Sequence, residues 1–174
     1  MAARYALARK RATQLLVKAG VTEPPVPVEA LASLVGATIR YEPFDGSLSG
    51  MAYRRPDAVN VIGVNSLQPL TRKRFTIAHE IGHLLLHSDD DMHVDEYVPI
   101  GFRNDVSSMA INEREVEANQ FAAELLMPAD TISREFQSIP EDVQIEDIID
   151  RLSQRYGVSS EAMTIRLSRL KLIR

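Results

Sequence analysis

The densest apolar stretch of the chain is RFTIAHEIGHLLLH, residues 74–87, in which Phe75, Ile77, Ala78, Ile81, Leu84, Leu85 and Leu86 leave almost no side of a helix polar. A helix that is apolar all round belongs in a core, so this one is expected to be buried. Other segments carry one-sided patterns. Residues 4–19 set Leu7, Leu15, Leu16 and several alanines among basic residues and stop at Gly20, which predicts a helix with a cationic outer face. Val28–Val35 reads as a short helix closed by Gly36, after the rigid Pro24-Pro25-Val26-Pro27 connector. Ala37–Glu42, Leu48–Arg54 and Ala58–Val64 are rich in strand formers and are separated by turn residues at Pro43, Asp45-Gly46 and Pro56-Asp57, a spacing that predicts an antiparallel meander. Ser49, Gly50 and Ala52 within the second strand are small enough for another backbone to approach, which makes them candidate substrate contacts.

Thr71 is the expected N-cap of the core helix. Arg72-Lys73-Arg74 then fall in its first turn, where the helix dipole disfavours cations, and the sequence alone supplies no reason for them. Residues 88–112 have no period, many acids, Pro99 and Gly101, and read as a long loop suited to a flap. Asn112 is placed as the cap of a helix over Glu113–Met127, with Ala118, Phe121, Ala122 and Leu125 as its core side; a short helix follows at Ala129–Phe136. Ile145–Tyr156 and Ser159–Leu170 form two amphipathic helices joined at Gly157-Val158, resembling a helix-turn-helix pair. The pattern as a whole is α+β: a small antiparallel sheet packed on helices, with a domain over residues 1–140 and a C-terminal helical segment over 141–174 packed on it.

Composition sharpens this picture. The chain has 174 residues, 45% of them hydrophobic, enough for one substantial core. No apolar run approaches the ~20 residues that span a bilayer, and the first residues lack a signal-peptide core, so a cytoplasmic protein without a membrane partner is expected. With no cysteine, thiolate ligands and a thiol nucleophile are excluded. Charge is partitioned: 11 basic against 6 acidic side chains in residues 1–88, 3 against 17 in 89–150, and 6 against 1 in 151–174. An acidic middle of this kind could steer a basic partner toward a nearby site. The C-terminal segment, though basic, carries Met163, Ile165, Leu167, Leu170 and Leu172, apolar surface that wants a core, and direct nucleic-acid binding is not expected.

The candidate chemistry lies in the core helix. His79, Glu80 and His83 form the pattern HExxH. Residues four apart share a helix face, so two imidazoles can meet one zinc ion while Glu80 flanks it as general base toward a water. Buried without partners, these groups would cost several kcal/mol, about 2–7 for each neutral polar group and more for a charge. A catalytic zinc takes a third protein ligand. The continuation HExxHxxGxxH is excluded by Leu86 and Asp89, and His87 lies roughly 12 Å along the helix from His79, too far to share an ion and better read as structural or supporting. Asp89, Asp90, Asp91 and His93 stand on the loop. On the downstream helix Glu117 sits at the edge of the core and ranks first, with Glu113 and Glu124 behind it, whereas Glu115 reads as solvated surface. Tyr53, His93 and Tyr97 are candidate oxyanion donors.

RFTIAHEIGHLLLH followed, after an acidic insert, by EVEANQFAAELLMP resembles the ImmA/IrrE family of zinc metallopeptidases, over about residues 30–130, with RLSQRYGVSSEAMTIRLSRLKLI similar to the family's C-terminal helical segment. The resemblance implies a zincin-like fold, a Zn2+ cofactor, His79, His83 and Glu117 as metal ligands, and Glu80 as the catalytic glutamate. It also implies cleavage of a helix-turn-helix transcriptional repressor, so a DNA-binding protein becomes the expected partner. The competing expectation is a catalytically idle metal-binding regulatory module or a toxin–antitoxin partner. A purely structural zinc, however, needs four protein ligands and no glutamate at position 80.

Overall fold

A computed structural model describes residues 4–45, 48–54, 58–87, 92–96, 109–140 and 142–173. The elements run α1 (Tyr5–Ala19), α2 (Val28–Leu34), β1 (Ala37–Glu42), β2 (Leu48–Tyr53), β3 (Asn60–Asn65), α3 (Leu70–Leu86), β4 (Met92–Glu96), α4 (Met109–Leu126), α5 (Ala129–Gln137), α6 (Ile145–Tyr156) and α7 (Ser160–Arg169). The class is α+β, as the pattern predicts, but two expectations are corrected.

The sheet is mixed, in the order β1-β3-β2-β4. β1 runs parallel to β3, and β2 is antiparallel to both β3 and β4. The meander fails because β4 occupies the edge of β2 that β1 would have taken. Met92–Glu96, expected as loop, pairs instead with Leu48–Tyr53 through a register shift near Gly50. Asn65 at the end of β3 fixes the crossover: its side-chain amide donates to the carbonyls of Phe44 and Leu48, and its oxygen accepts from the amides of Phe44 and Leu67. A buried Asn satisfied on all sides ties Phe44, Leu48 and Leu67 to the end of β3.

Helix ends form the second correction. α3 starts at Leu70 behind Pro69, so Thr71 lies inside the helix, not at its cap. α4 starts at Met109, one turn earlier than expected, and thus includes Asn112. The fold also supplies partners for the first-turn cations of α3, which the sequence leaves without a reason. Arg72 donates to the Ser49 hydroxyl and lies 5.8 Å from the Phe75 ring centre. Lys73 donates to the Ser66 carbonyl. Arg74 donates to the carbonyls of Val26 and Gly157. Each is a tether that outweighs the few tenths of a kcal/mol to about 1 kcal/mol a dipole of this sign costs.

At its other end α3 is capped by cations of the favourable sign. Arg54 donates to the carbonyls of Leu84 and His87, and Arg4 to that of Leu86. α1 lies across α4 with Ala8, Ala12, Leu15 and Leu16 inward, and ends at Gly20, whose positive φ of 67° lets its amide reach the Leu16 and Val17 carbonyls. α6 and α7 share the central core through Leu152, Tyr156, Val158, Met163 and Leu167. Arg166 of α7 is 4% exposed and bonds the Met127 carbonyl and the Glu124 carboxylate, which in turn accepts from the Ala129 amide. The apolar face of the C-terminal segment is therefore spent on this core.

Candidate metal centre

α3 and α4 cross where Gly82 faces Ala118 and Phe121. A Cβ on Gly82 would stand 3.1 Å from Phe121 Cδ1 and 3.2 Å from Ala118 Cα, closer than neighbouring atoms normally come. The missing side chain lets the two helices approach, and the same crossing carries α4 past the turn of α3 that holds His79 and His83.

Both histidines are buried, at 2% and 3% exposure, and the Nε2 atoms lie 3.0 Å apart. The third group at this point is Glu115. Its carboxylate oxygens are 3.3 Å from His79 Nε2 and 3.2 Å from His83 Nε2. His79 Nδ1 donates to the side-chain oxygen of Asn119 at 3.1 Å. Holding the proton on Nδ1 leaves the Nε2 lone pair directed at the convergence point, the tautomer a metal requires.

This donor set fits a divalent ion. Two nitrogen or oxygen ligands at 2.0–2.2 Å from a tetrahedral zinc are about 3.3–3.5 Å from one another. The separations of 3.0, 3.2 and 3.3 Å approach those edges of a ligand tetrahedron. Three such ligands would leave a fourth position for water or substrate, the pattern of a catalytic rather than a structural site. Glu80 follows His79 on the flank of α3 that faces β2. It is fully buried, and one carboxylate oxygen lies 3.5 Å from where a Cβ on Gly50 would be. The same Cβ would stand 2.3 Å from Thr76 Cγ2. The glycine at 50 thus admits Thr76 and the Glu80 carboxylate, in place of the substrate backbone expected there.

Ser49, Gly50 and Ala52, the expected substrate contacts, cannot offer an edge from β2, because this strand is hydrogen-bonded on one side to β3 and on the other to β4. Ser49 is buried and accepts from Arg72, and Ala52 is 3% exposed.

The carboxylate that stands against the two histidines is that of Glu115, and the expected ligand Glu117 lies elsewhere. Glu117 is 4% exposed, but its carboxylate turns toward α1 and the end of α3. It accepts from the Arg4 amide at 2.6 Å and from the Arg4 guanidinium at 2.9 and 3.1 Å. Burial alone would raise its carboxyl, but hydrogen bonds and charge from Arg4 outweigh this and hold it below the usual carboxylate range. His87, expected to be supporting, is buried beside it. Its Nε2 donates to the Arg114 carbonyl at 3.3 Å and lies 3.8 Å from Glu117, and burial pushes its pKa down. Glu124 is committed to Arg166.

Sequence reasoning reads Glu115 as solvated surface because it takes the core side of α4 from Ala118, Phe121, Ala122 and Leu125. That face packs into the interior, while the adjacent one meets the histidines. The signal available is the polar pair Glu115/Asn119, spaced four apart as His79/His83 are, so that two matching stripes can face one another. Of the remaining candidates, Tyr53 is 45% exposed at the end of β2. The backbone of His93 pairs opposite Ala52. Asp89, Asp90, Asp91 and Tyr97 lie outside the described residues, as does most of the expected flap. Among the described residues no helix is long and apolar enough to cross a membrane.

The profile of the Peptidase M78 family, described as the IrrE N-terminal-like domain, matches residues 32–168. Over 104 residues the chain is 39% identical to the radiation response metalloprotease IrrE of Deinococcus radiodurans, an alignment covering 60% of this chain and 25% of that protein. The chain thus spans about a quarter of that relative's length. A solved structure of a Mycobacterium tuberculosis transcriptional regulator superposes with a TM-score of 0.62 at 21% identity, over 92% of this chain and 46% of that one, a likeness of fold. With the family profile spanning well over half of the sequence, including both histidines and Glu115, the chain belongs to the Peptidase M78, IrrE N-terminal-like family.

Proposed function

We propose that this protein is a zinc-dependent endopeptidase that cuts a specific protein, with His79, His83 and Glu115 as metal ligands and Glu80 as the general acid–base. The observation that carries the reading is the convergence of two imidazole nitrogens and one carboxylate within 3.3 Å of each other, one residue away from a fully buried glutamate. When bound, the ion supplies Lewis acidity, polarising a peptide carbonyl and making water a competent nucleophile near neutral pH. Glu80 takes the proton of the attacking water on a carboxylate oxygen and returns it to the amide nitrogen as the C–N bond breaks. Its burial keeps bulk water from competing for that proton. Asn119 holds His79 in the tautomer that presents Nε2. The substrate-aligning edge passes from β2 to β4, which among the described residues pairs only with β2 and so keeps one backbone edge for an extended peptide.

A DNA-binding repressor is the substrate class we favour. The fold neighbour is described as a transcriptional regulator and the sequence relative as a radiation response metalloprotease, and these descriptions support the reading. The acidic residues of the 89–150 region would attract such a basic protein over a Debye length of about 8–10 Å. The test is a pair of proteins, wild type and Glu80→Gln, loaded with zinc and incubated with the product of a neighbouring repressor gene. Equal metal content with cleavage by the wild type alone is expected. Cleavage by the Gln variant at a comparable rate would remove Glu80 from the mechanism.

A further inference from the structure

The buried pair Glu117 and His87 takes no part in the reaction outlined above, and neither group faces the convergence point. Their surroundings nevertheless connect three elements at once. Arg4, immediately before α1, grips both oxygens of Glu117: backbone amide to Oε1 at 2.6 Å, Nε to Oε1 at 3.1 Å, Nη2 to Oε2 at 2.9 Å. The same Nη2 reaches the Leu86 carbonyl at 3.4 Å, the last residue of the histidine-bearing helix. His87, just past that helix, donates to the Arg114 carbonyl of α4 and lies against Glu117. A two-pronged guanidinium grip on a carboxylate that is only 5% exposed is directional as well as strong.

We infer that Arg4 and Glu117 form a latch that sets the rotation of α4, and through it the place of Glu115 in the metal centre. This rests on the reading of His79, His83 and Glu115 as metal ligands. Glu115 and Glu117 are two residues apart on one helix, so the latch and the ligand turn together. A rotation of about 20° moves a side-chain atom roughly 5 Å from the helix axis by nearly 2 Å, almost a whole metal–ligand bond. Further along, Ala118 and Phe121 fix the depth of the crossing at Gly82. Apolar contacts of that kind are less directional than a guanidinium–carboxylate pair, which leaves the rotation near Glu115 to the latch. Glu117 is therefore a positioning residue, acting on the ion through the helix that carries Glu115, and Arg4 gives the segment leading into α1 a hold on the metal centre.

The experiment uses Co2+ as the probe on the full chain: wild type, Arg4→Ala, Arg4→Lys, Glu117→Gln, the Arg4→Ala/Glu117→Gln double variant, and Glu115→Ala. Affinity is measured by chelator competition, ligand geometry by visible absorption, and helix motion by amide hydrogen exchange at residues 115–119 without metal. Groups that orient metal ligands are worth about 10–100-fold in affinity, and a loss of that size is expected for Arg4→Ala and Glu117→Gln. The Co2+ spectrum should be altered and exchange in α4 accelerated, with the double variant close to the weaker single and Arg4→Lys recovering part of the loss. A general stabilising role would instead lower the thermal midpoint while affinity and spectrum of the folded protein stay those of the wild type, and this would overturn the latch. Wild-type Co2+ binding in both latch variants, with binding lost only in Glu115→Ala, overturns the latch and leaves the metal centre standing. A wild-type chain that takes up no Co2+ overturns both.

Discussion

Three glutamates on one helix meet two different fates. Glu117 and Glu124 each face a guanidinium, Arg4 in one case and Arg166 in the other. Glu115, on the opposite side of the same helix, is opposed by two imidazole nitrogens of α3. A buried carboxylate matched by an arginine is electrically complete and contributes a fixed joint between elements. One matched by two imidazoles, one of them held in the tautomer that offers a lone pair, belongs to a group of donors that could hold a metal ion. The contrast separates the joints of this fold from its chemistry. Burial alone does not draw that line, since Glu117 and Glu124 are more buried than Glu115.

The sharpest break of the comparison is Glu115→Ala. If the histidine pair and Glu115 are the ligands, this variant should lose more than about 100-fold in zinc affinity, beyond the range of an orienting group, while its metal-free thermal midpoint stays close to that of the wild type; metal analysis with calorimetry reads both. The mirror experiment is Arg166→Met. Removing one partner of a buried ion pair costs about 3–5 kcal/mol, so the thermal midpoint should fall by several degrees, yet zinc stoichiometry in the folded protein should be unchanged. Replacing both Glu124 and Arg166 by apolar residues should recover much of the loss.

Smaller effects sharpen the picture around His79. Asn119→Ala removes the acceptor for Nδ1 and should weaken zinc about 10–100-fold without changing the number of ions bound; a titration against a chelator measures it. Gly82→Ala introduces a Cβ at 3.1 Å from Phe121. Overpacking of this kind costs about 1–3 kcal/mol, and spreading the α3–α4 crossing should also lower metal affinity, by less than the Asn119 variant does. A Gly82→Ala protein as stable and as tightly metallated as the wild type would remove the role given to that glycine.

What can be read from the sequence follows from how local each signal is. α3 is legible because a helix apolar all round must be buried, and the HExxH spacing on it fixes which faces the histidines share. The close approach at Gly50 is legible too, but not its partner: Thr76 and Glu80 lie a strand and a helix away in the chain. The parallel pairing of β1 is hidden for the same reason, since it depends on β4 taking the other edge of β2. Arg72, Lys73 and Arg74 look misplaced in a first turn, and only the fold supplies Ser49, Ser66, Val26 and Gly157 to receive them. On α4, Glu115 and Glu117 stand about 160° apart, on opposite flanks of the apolar stripe of Ala118, Phe121 and Leu125, so the stripe alone does not say which flank meets the histidines.

Where the ion sits decides most directly between ligand and latch. Anomalous scattering at the zinc edge from crystals of the zinc-loaded protein should show one peak per chain, bonded to His79 Nε2, His83 Nε2 and a Glu115 oxygen, with the Glu117 carboxylate still held by Arg4. A peak bonded to Glu117 or to His93, or one that leaves Glu115 in solvent, would contradict it.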